Sequence, residues 1–271
     1  LWALQIEFIY FIIFFHTFMI ENNFFKKNPE EELINKFGLR NTPLEYTETD
    51  AINYSSQINE SADLKENPDN LIRRTFEMLP KNLEDKQVID IGCGEGRWDR
   101  LMAERGAMVT GIDSSKKMVE IAKERSKKFY DKIEFPGTDI SNLADNDKKF
   151  DFAFSCYTFN NINNLNNIFQ ILNKILKNNG ELIIATKLLD FSDTENKILK
   201  KYYLPIKSKK HTIYTYGNEF KDYEESSKNN NFKLMESYLQ EVEDGFTNNE
   251  LNEQNIKIFD AVLKYKKIAN K

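Results

Sequence analysis

The stretch Val88-Ile89-Asp90-Ile91-Gly92-Cys93-Gly94-Glu95-Gly96 constrains this chain more than any other. A short β-branched run, Val88 to Ile91, feeds straight into three glycines at alternate positions. A helical pattern follows, with Trp98, Leu101 and Met102 on one face. Strand, glycine turn, helix is the way a doubly wound α/β fold brings backbone against a nucleotide. Glycine accepts positive φ and has no Cβ, so a ligand can lie against the main chain. The helix start beyond it offers unpaired N–H groups to polar ligand atoms.

The remaining strands follow in order. Ala107-Met108-Val109-Thr110-Gly111-Ile112-Asp113 is a second strand ending in a carboxylate, placed to accept two hydrogen bonds from ribose hydroxyls. Ser114 or Ser115 then caps a helix that contains Met118. Lys132 to Phe135 is a short third strand leading to Asp139 and Ile140. Phe150 to Ser155 is a buried fourth strand ending at Cys156 and Tyr157. Leu176 to Thr186 reads as helix end, turn and fifth strand, with Asn178 and Asn179 beside Gly180. Asparagine tolerates the left-handed conformation better than most residues, so it suits that turn.

Further on, Lys187 to Pro205 looks helical and charged, and His211 to Tyr216 alternates as a strand does. Phe220 to Lys228 reads as a helix and Phe232 to Tyr238 as a strand. These strands are expected to close one sheet edge as an antiparallel hairpin. Gln254 to Lys271 is expected to be an amphipathic helix.

The spacing G-x-G-x-G, with an acid two positions before the first glycine, is similar to motif I of the class I S-adenosylmethionine-dependent methyltransferases. A dinucleotide fingerprint would want a glycine where Arg97 stands. The resemblance runs from about Ile72 to Tyr238. Between Ile89 and Ala122 it looks closest to small-molecule enzymes of the 3-demethylubiquinone O-methyltransferase type. It implies a Rossmann-like, doubly wound α/β fold: a seven-stranded, mostly parallel sheet with one antiparallel edge strand and an N-terminal helical extension. It implies S-adenosyl-L-methionine as cofactor, and a small-molecule O, N or C nucleophile as methyl acceptor.

Residue by residue, the resemblance puts Gly92, Cys93, Gly94 and Gly96 against the cofactor's amino-acid and ribose portions, with Asp90 on its ammonium. Asp113 and Ser114 would serve the ribose, Met118 and Asp139 the adenine, and the Ile140 N–H a ring nitrogen. Ser155, Cys156 and Tyr157 would line the methyl-donor site. The family's usual histidine after the fourth strand is replaced by Asn160 and Asn161, so the plainest general base is missing. His211 is the remaining base candidate outside the apolar leader, and equally reads as a solvated surface residue. Tyr157, Phe159, Leu188 and Phe191 are expected as apolar walls around the acceptor, under a lid near Tyr54.

Composition sets outer bounds. With 271 residues, 40% hydrophobic and 30% charged, the chain fits one large domain with additions. A net charge of −5 does not favour nucleic acid. Two cysteines, Cys93 and Cys156, and two histidines, His16 and His211, show no metal-ligand spacing. Cys93 reads as a small turn residue rather than a nucleophile.

The expected divisions are residues 1–20, an apolar leader; 21–67, an extension or lid; 68–240, the methyltransferase domain; and 241–271, a C-terminal helical extension. Residues 1–20 are long enough to span a bilayer, but Glu7 and His16 interrupt them, no basic residue precedes them, and Met19 offers an alternative start. A cytoplasmic location is expected, with membrane association if that stretch is genuine. Two other readings compete: a nicotinamide-dependent oxidoreductase, and a relative that binds S-adenosylmethionine without transfer.

Overall fold

The computed structural model describes residues 29–42, 47–57, 70–143, 147–194, 197–207, 212–242 and 254–269. The chain forms two compact units, residues 1–39 and 40–271. Of the first, the described part is helix α1 (Pro29–Phe37) and the two residues after it. Glu30, Glu31 and Glu32 occupy its first turn and Lys36 its last, as the helix dipole favours. Gly38, at φ 63°, turns the chain so that the Leu39 N–H reaches the Ile34 carbonyl at 3.0 Å.

The second unit is built on one seven-stranded sheet. Its elements run α2 (Glu48–Gln57), α3 (Asn70–Met78), β1 (Gln87–Ile91), α4 (Arg97–Glu104), β2 (Met108–Ile112), α5 (Lys116–Arg125), β3 (Ile133–Glu134), β4 (Phe150–Cys156), α6 (Leu165–Ile175) and β5 (Leu176–Asp190). There follow β6 (Tyr203–Lys207), β7 (Thr212–Tyr216), α7 (Phe220–Asn229), β8 (Phe232–Glu241) and β9 (Lys257–Lys267). The strand order is β3-β2-β1-β4-β5-β9-β8. β1 to β5 are mutually parallel. β9 runs antiparallel between β5 and β8, which makes it the one reversed strand. The expected seven-stranded, mostly parallel, doubly wound sheet is present.

Both faces of the sheet are covered over its central strands, which is why those strands are apolar almost throughout, while the edge strand β8 is largely exposed. Ile89, Ile91, Leu182, Ile184, Leu263 and Tyr265 pack with Phe169, Leu172 and Ile175 of α6 and Tyr223 of α7. On the other face Val88, Val109, Phe154 and Ile183 meet Leu71 of α3, Trp98 and Met102 of α4 and Val119 of α5. Val88 and Asp90 are two positions apart on β1, so Asp90 projects toward the α4 side.

Three expectations fail. The helix expected over 254–271 is not found in its described part, 254–269: β9 occupies Lys257–Lys267 and pairs with β5 from Glu181↔Lys266 to Asp190↔Lys257. A strand buried on both faces loses its alternation, and the run Ala261-Val262-Leu263 imitates a helical stripe. The described part of Lys187–Pro205 is not an α-helix either. β5 continues to Asp190, a short 3-10 turn covers Lys197–Lys201, and β6 begins at Tyr203. Finally, β7 does not close the main sheet. It pairs with β6 in a separate two-stranded sheet, while β8 pairs with β9.

β9 also secures α6. Lys267 is 7% exposed, and its ammonium donates to the carbonyls of Asn173 (2.5 Å) and Leu176 (2.8 Å) at the end of that helix. A hydrogen bond involving a charged group contributes about 1.5–3 kcal/mol, and burial already penalises the ammonium. Lys267→Met is therefore expected to lower stability by about 1–3 kcal/mol in urea unfolding. An unchanged midpoint would remove that anchoring role.

Candidate functional site: the glycine turn

β1 ends at Ile91 and the chain turns through Gly92 (φ 73°), Gly94 (φ 54°) and Gly96 (φ 84°). Two of these have separate reasons to be glycine. A Cβ on Gly92 would stand 1.9 Å from the Thr158 hydroxyl, so the loop after β4 closes directly onto the turn. At Gly94 a Cβ would meet nothing within 4 Å; the positive φ and the open space there suit a ligand lying on the backbone.

The turn is held from β2. The Gly92 and Cys93 N–H groups donate to the Ile112 carbonyl at 2.8 and 2.9 Å. Asp113 accepts from the Gly94 N–H at 3.0 Å through one oxygen and from the Ser115 N–H at 2.8 Å through the other. Burial raises its carboxyl above the ordinary range, and these two backbone donors pull the other way. Asp113 thus braces the turn from the tip of β2. Ser115 is the N-cap of α5, accepting from the Met118 N–H at 3.3 Å, and Ser114 is exposed beside it.

Asp90 is 1% exposed, and its Oδ2 has no hydrogen-bond partner. An unpartnered buried carboxylate oxygen beside a glycine turn suits a cationic ligand group. Cys93 is 6% exposed and burial raises its thiol, so it is a packing residue. Met118 and Ile140 are buried. Asp139 is exposed, with its carboxylate accepting from the Ser141 N–H at 2.8 Å.

At the end of β4 the outcomes divide. The Ser155 hydroxyl is fully buried and donates to the Ile91 carbonyl at 2.8 Å, tying β4 to β1 beneath the turn. Cys156 and Tyr157 are half-buried at the strand's tip. Tyr157 has φ 59°, and its N–H bonds to the Ala185 carbonyl at 2.8 Å. A left-handed tyrosine is uncommon, and such positions gather at functional sites. Of the four expected acceptor walls only Tyr157 is partly exposed. Phe159, Leu188 and Phe191 are at most 2% exposed and belong to the core. His211 lies outside the described residues, as do residues 1–28.

Four contributors carry no sequence signal of their own. Glu95, inside the turn and 2% exposed, accepts from Arg100 and Arg125, both at 2.8 Å. Arg125 also donates to the Ser55 carbonyl of α2 at 3.0 Å, which moors the segment carrying Tyr54 to the turn. The fourth is Asp99, fully buried on α4. A glycine inside a strand marks a close approach, and Gly111 in β2 was the available clue.

Residues 82–206 match a family model described as a methyltransferase domain. The ubiquinone biosynthesis O-methyltransferase of Pelagibacter ubique is 36% identical over 126 residues, covering 46% of this chain and 49% of that protein. A demethylmenaquinone methyltransferase of Tropheryma whipplei is 34% identical over 100 residues, 37% of this chain and 41% of that protein. The chain thus spans about half the length or less of these curated relatives. An S-adenosylmethionine dependent methyltransferase from Mesorhizobium loti shares the fold, with a TM-score of 0.52 and 16% identity over 77% of this chain and all of that one. The matched stretch contains the whole glycine turn, Asp113 and the β4 tip; β7, α7, β8 and β9 lie beyond it. Among the described residues no helix is long and apolar enough to cross a membrane, and no group of acidic, histidine or cysteine side chains is arranged to hold a metal.

Proposed function

We propose that this chain transfers a methyl group from S-adenosylmethionine to an O, N or C nucleophile of a small molecule. The observation that carries the reading is the braced glycine turn, with Asp113 holding Gly94 and the unpartnered Asp90 Oδ2 beside it. The residues present fit that cofactor. Asp90 supplies a buried anion for its ammonium. Gly92, Gly94 and Gly96 supply backbone it can lie on. Asp113 keeps lone pairs for ribose hydroxyls, and Met118, Asp139 and Ile140 are the adenine-side candidates. S-adenosylmethionine brings an already activated methyl group. The chain's share is then to align the acceptor and exclude water, with Cys156 and Tyr157 at the tip of β4 and Tyr54 on the α2 side. A phenol or enol acceptor is the first class to test, since the curated relatives are named for quinone biosynthesis.

The binding half is tested by calorimetry with S-adenosylmethionine, S-adenosylhomocysteine and NAD. Binding of the first two supports the reading, and binding of NAD alone sinks it. The transfer half is tested with labelled S-adenosylmethionine and a phenol library. His211→Gln probes a protein base: general-base catalysis contributes about 100-fold or more, so a catalytic role predicts such a fall in turnover with cofactor affinity unchanged. A fall below about threefold leaves alignment and desolvation as the mechanism.

A further inference from the structure

Asp90 and Asp99 form a buried pair that the proposed reaction does not by itself require. Asp99 sits in the first turn of α4, 0% exposed, on the sheet face toward which Asp90 projects. Gly111 is the register partner of Asp90 on β2, and a Cβ there would stand 2.3 Å from Asp99 Oδ1. The Asp99 carboxyl therefore lies on Gly111, beside Asp90. Neither Asp99 oxygen has a hydrogen-bond donor, and Asp90 Oδ2 has none either.

We infer that Asp99 shares one proton with Asp90 across the α4–β1 contact, and so sets the charge that the glycine turn presents to its ligand. Two adjacent buried carboxyls without a cation cannot both ionise, because each would lose its hydration and face a like charge. A single proton between them removes one charge and supplies the missing donor. The surroundings agree. Asp90 is faced by Asp99 from α4, by Asp113 beyond β2 and by the Cys93 thiol of its own turn. From β4 its register partner is the apolar Phe154. Asp99 has Glu95 and Arg100 near it on its own segment, and Arg100 is already engaged by Glu95 at 2.8 Å. Burial is the leading cause that raises both carboxyls. The pair titrates as a unit.

Asp99 is thus a positioning residue, acting through Asp90. The linkage to a ligand rests on the proposed S-adenosylmethionine reading. An ammonium group arriving at Asp90 favours the fully ionised pair, so binding releases the shared proton to solvent.

Two ligand-free measurements come first. Infrared spectra of the apoprotein at pH 7 should show a protonated carboxyl band whose frequency moves in Asp99→Leu, where the carboxylate that shares the proton is gone and burial still favours a neutral Asp90. Stability is then followed against pH in wild type and Asp99→Asn. Both folded carboxyls are raised above their unfolded values. The stabilisation they give is therefore full below about pH 4 and is lost as pH rises through the folded range. Asp99→Asn cannot ionise, so its stability relative to wild type should climb from pH 4 toward neutrality, by up to about tenfold in unfolding constant per pH unit. A missing band, a band that Asp99→Leu leaves unmoved, or a wild type-to-variant offset constant with pH overturns the shared proton. Calorimetry with S-adenosylmethionine in buffers of different ionisation enthalpy then counts protons. Wild type should release more than Asp99→Asn, the ligand's own amine contributing equally to both; equal counts overturn the linkage. If the ligand-free results hold and nothing binds, the acid pair stands and the function proposed above falls.

Discussion

Replacing Asp113 with alanine is expected to weaken S-adenosylmethionine binding by about tenfold to a few hundredfold. Each hydrogen bond to a charged group contributes roughly 1.5–3 kcal/mol, and a ribose offers two hydroxyls to this carboxylate. The structure adds a second source of loss. The same carboxylate holds the Gly94 N–H at 3.0 Å and the Ser115 N–H at 2.8 Å, so its removal frees the turn before any ligand arrives. Asp113→Asn separates the two contributions. It keeps an oxygen acceptor for one backbone donor while losing the charge, and its affinity should fall between wild type and alanine. Calorimetry on the three proteins is the measurement, and equal affinities would take Asp113 out of the site.

Glu95→Ala should cost the fold more than any other single change at the turn, about 2–4 kcal/mol in denaturant unfolding. Glu95 is almost wholly buried, and its carboxylate receives Arg100 and Arg125 together at 2.8 Å. Removing it leaves two guanidinium groups without their common anion. Their side chains are 11% and 24% exposed, so water recovers part of the loss, which keeps the figure below the full cost of an orphaned buried charge. Arg125 then holds Ser55 without its own anchor, so amide exchange in α2 should accelerate as well. Stability within about 0.5 kcal/mol of wild type would reduce the three-residue cluster to a surface feature.

How far the sequence could be read depended on whether the decisive signal was local. The glycine turn, the N-cap at Ser115 and the left-handed Asn179 (φ 63°) are properties of a few adjacent residues, and each is where local chemistry puts it. Asp113 was legible as a strand-tip carboxylate because strand ends in a parallel sheet face one edge. Non-local pairing was not legible. Nothing in Ala261-Val262-Leu263 states that β5 lies on one side and β8 on the other, and the lysine-rich stretch after Thr186 concealed four more residues of β5. Phe159, Leu188 and Phe191 were apolar in the right neighbourhood but point into the core, a choice that sequence order alone does not make. Asp99 was the hardest: an acid in the first turn of a helix is ordinary dipole chemistry, and only its seat on Gly111 sets it apart.

The insertion of β9 has a consequence for how the molecule is made. β8 is synthesised before β9, yet within the main sheet it pairs with β9 alone, and β5 likewise receives its second neighbour only then. On the ribosome, the strands β1 to β5 can associate early, while β8 emerges as a strand with nowhere to dock. The outer edge of β5 stays open through the same interval, long and apolar, the kind of edge that recruits other chains. The step that ends this exposure is the arrival of residues 257–267, which close a loop reaching back to residue 181. Such distant closure is slow compared with local folding. Truncating the chain anywhere before β9 should therefore give a product that aggregates rather than one that merely binds weakly.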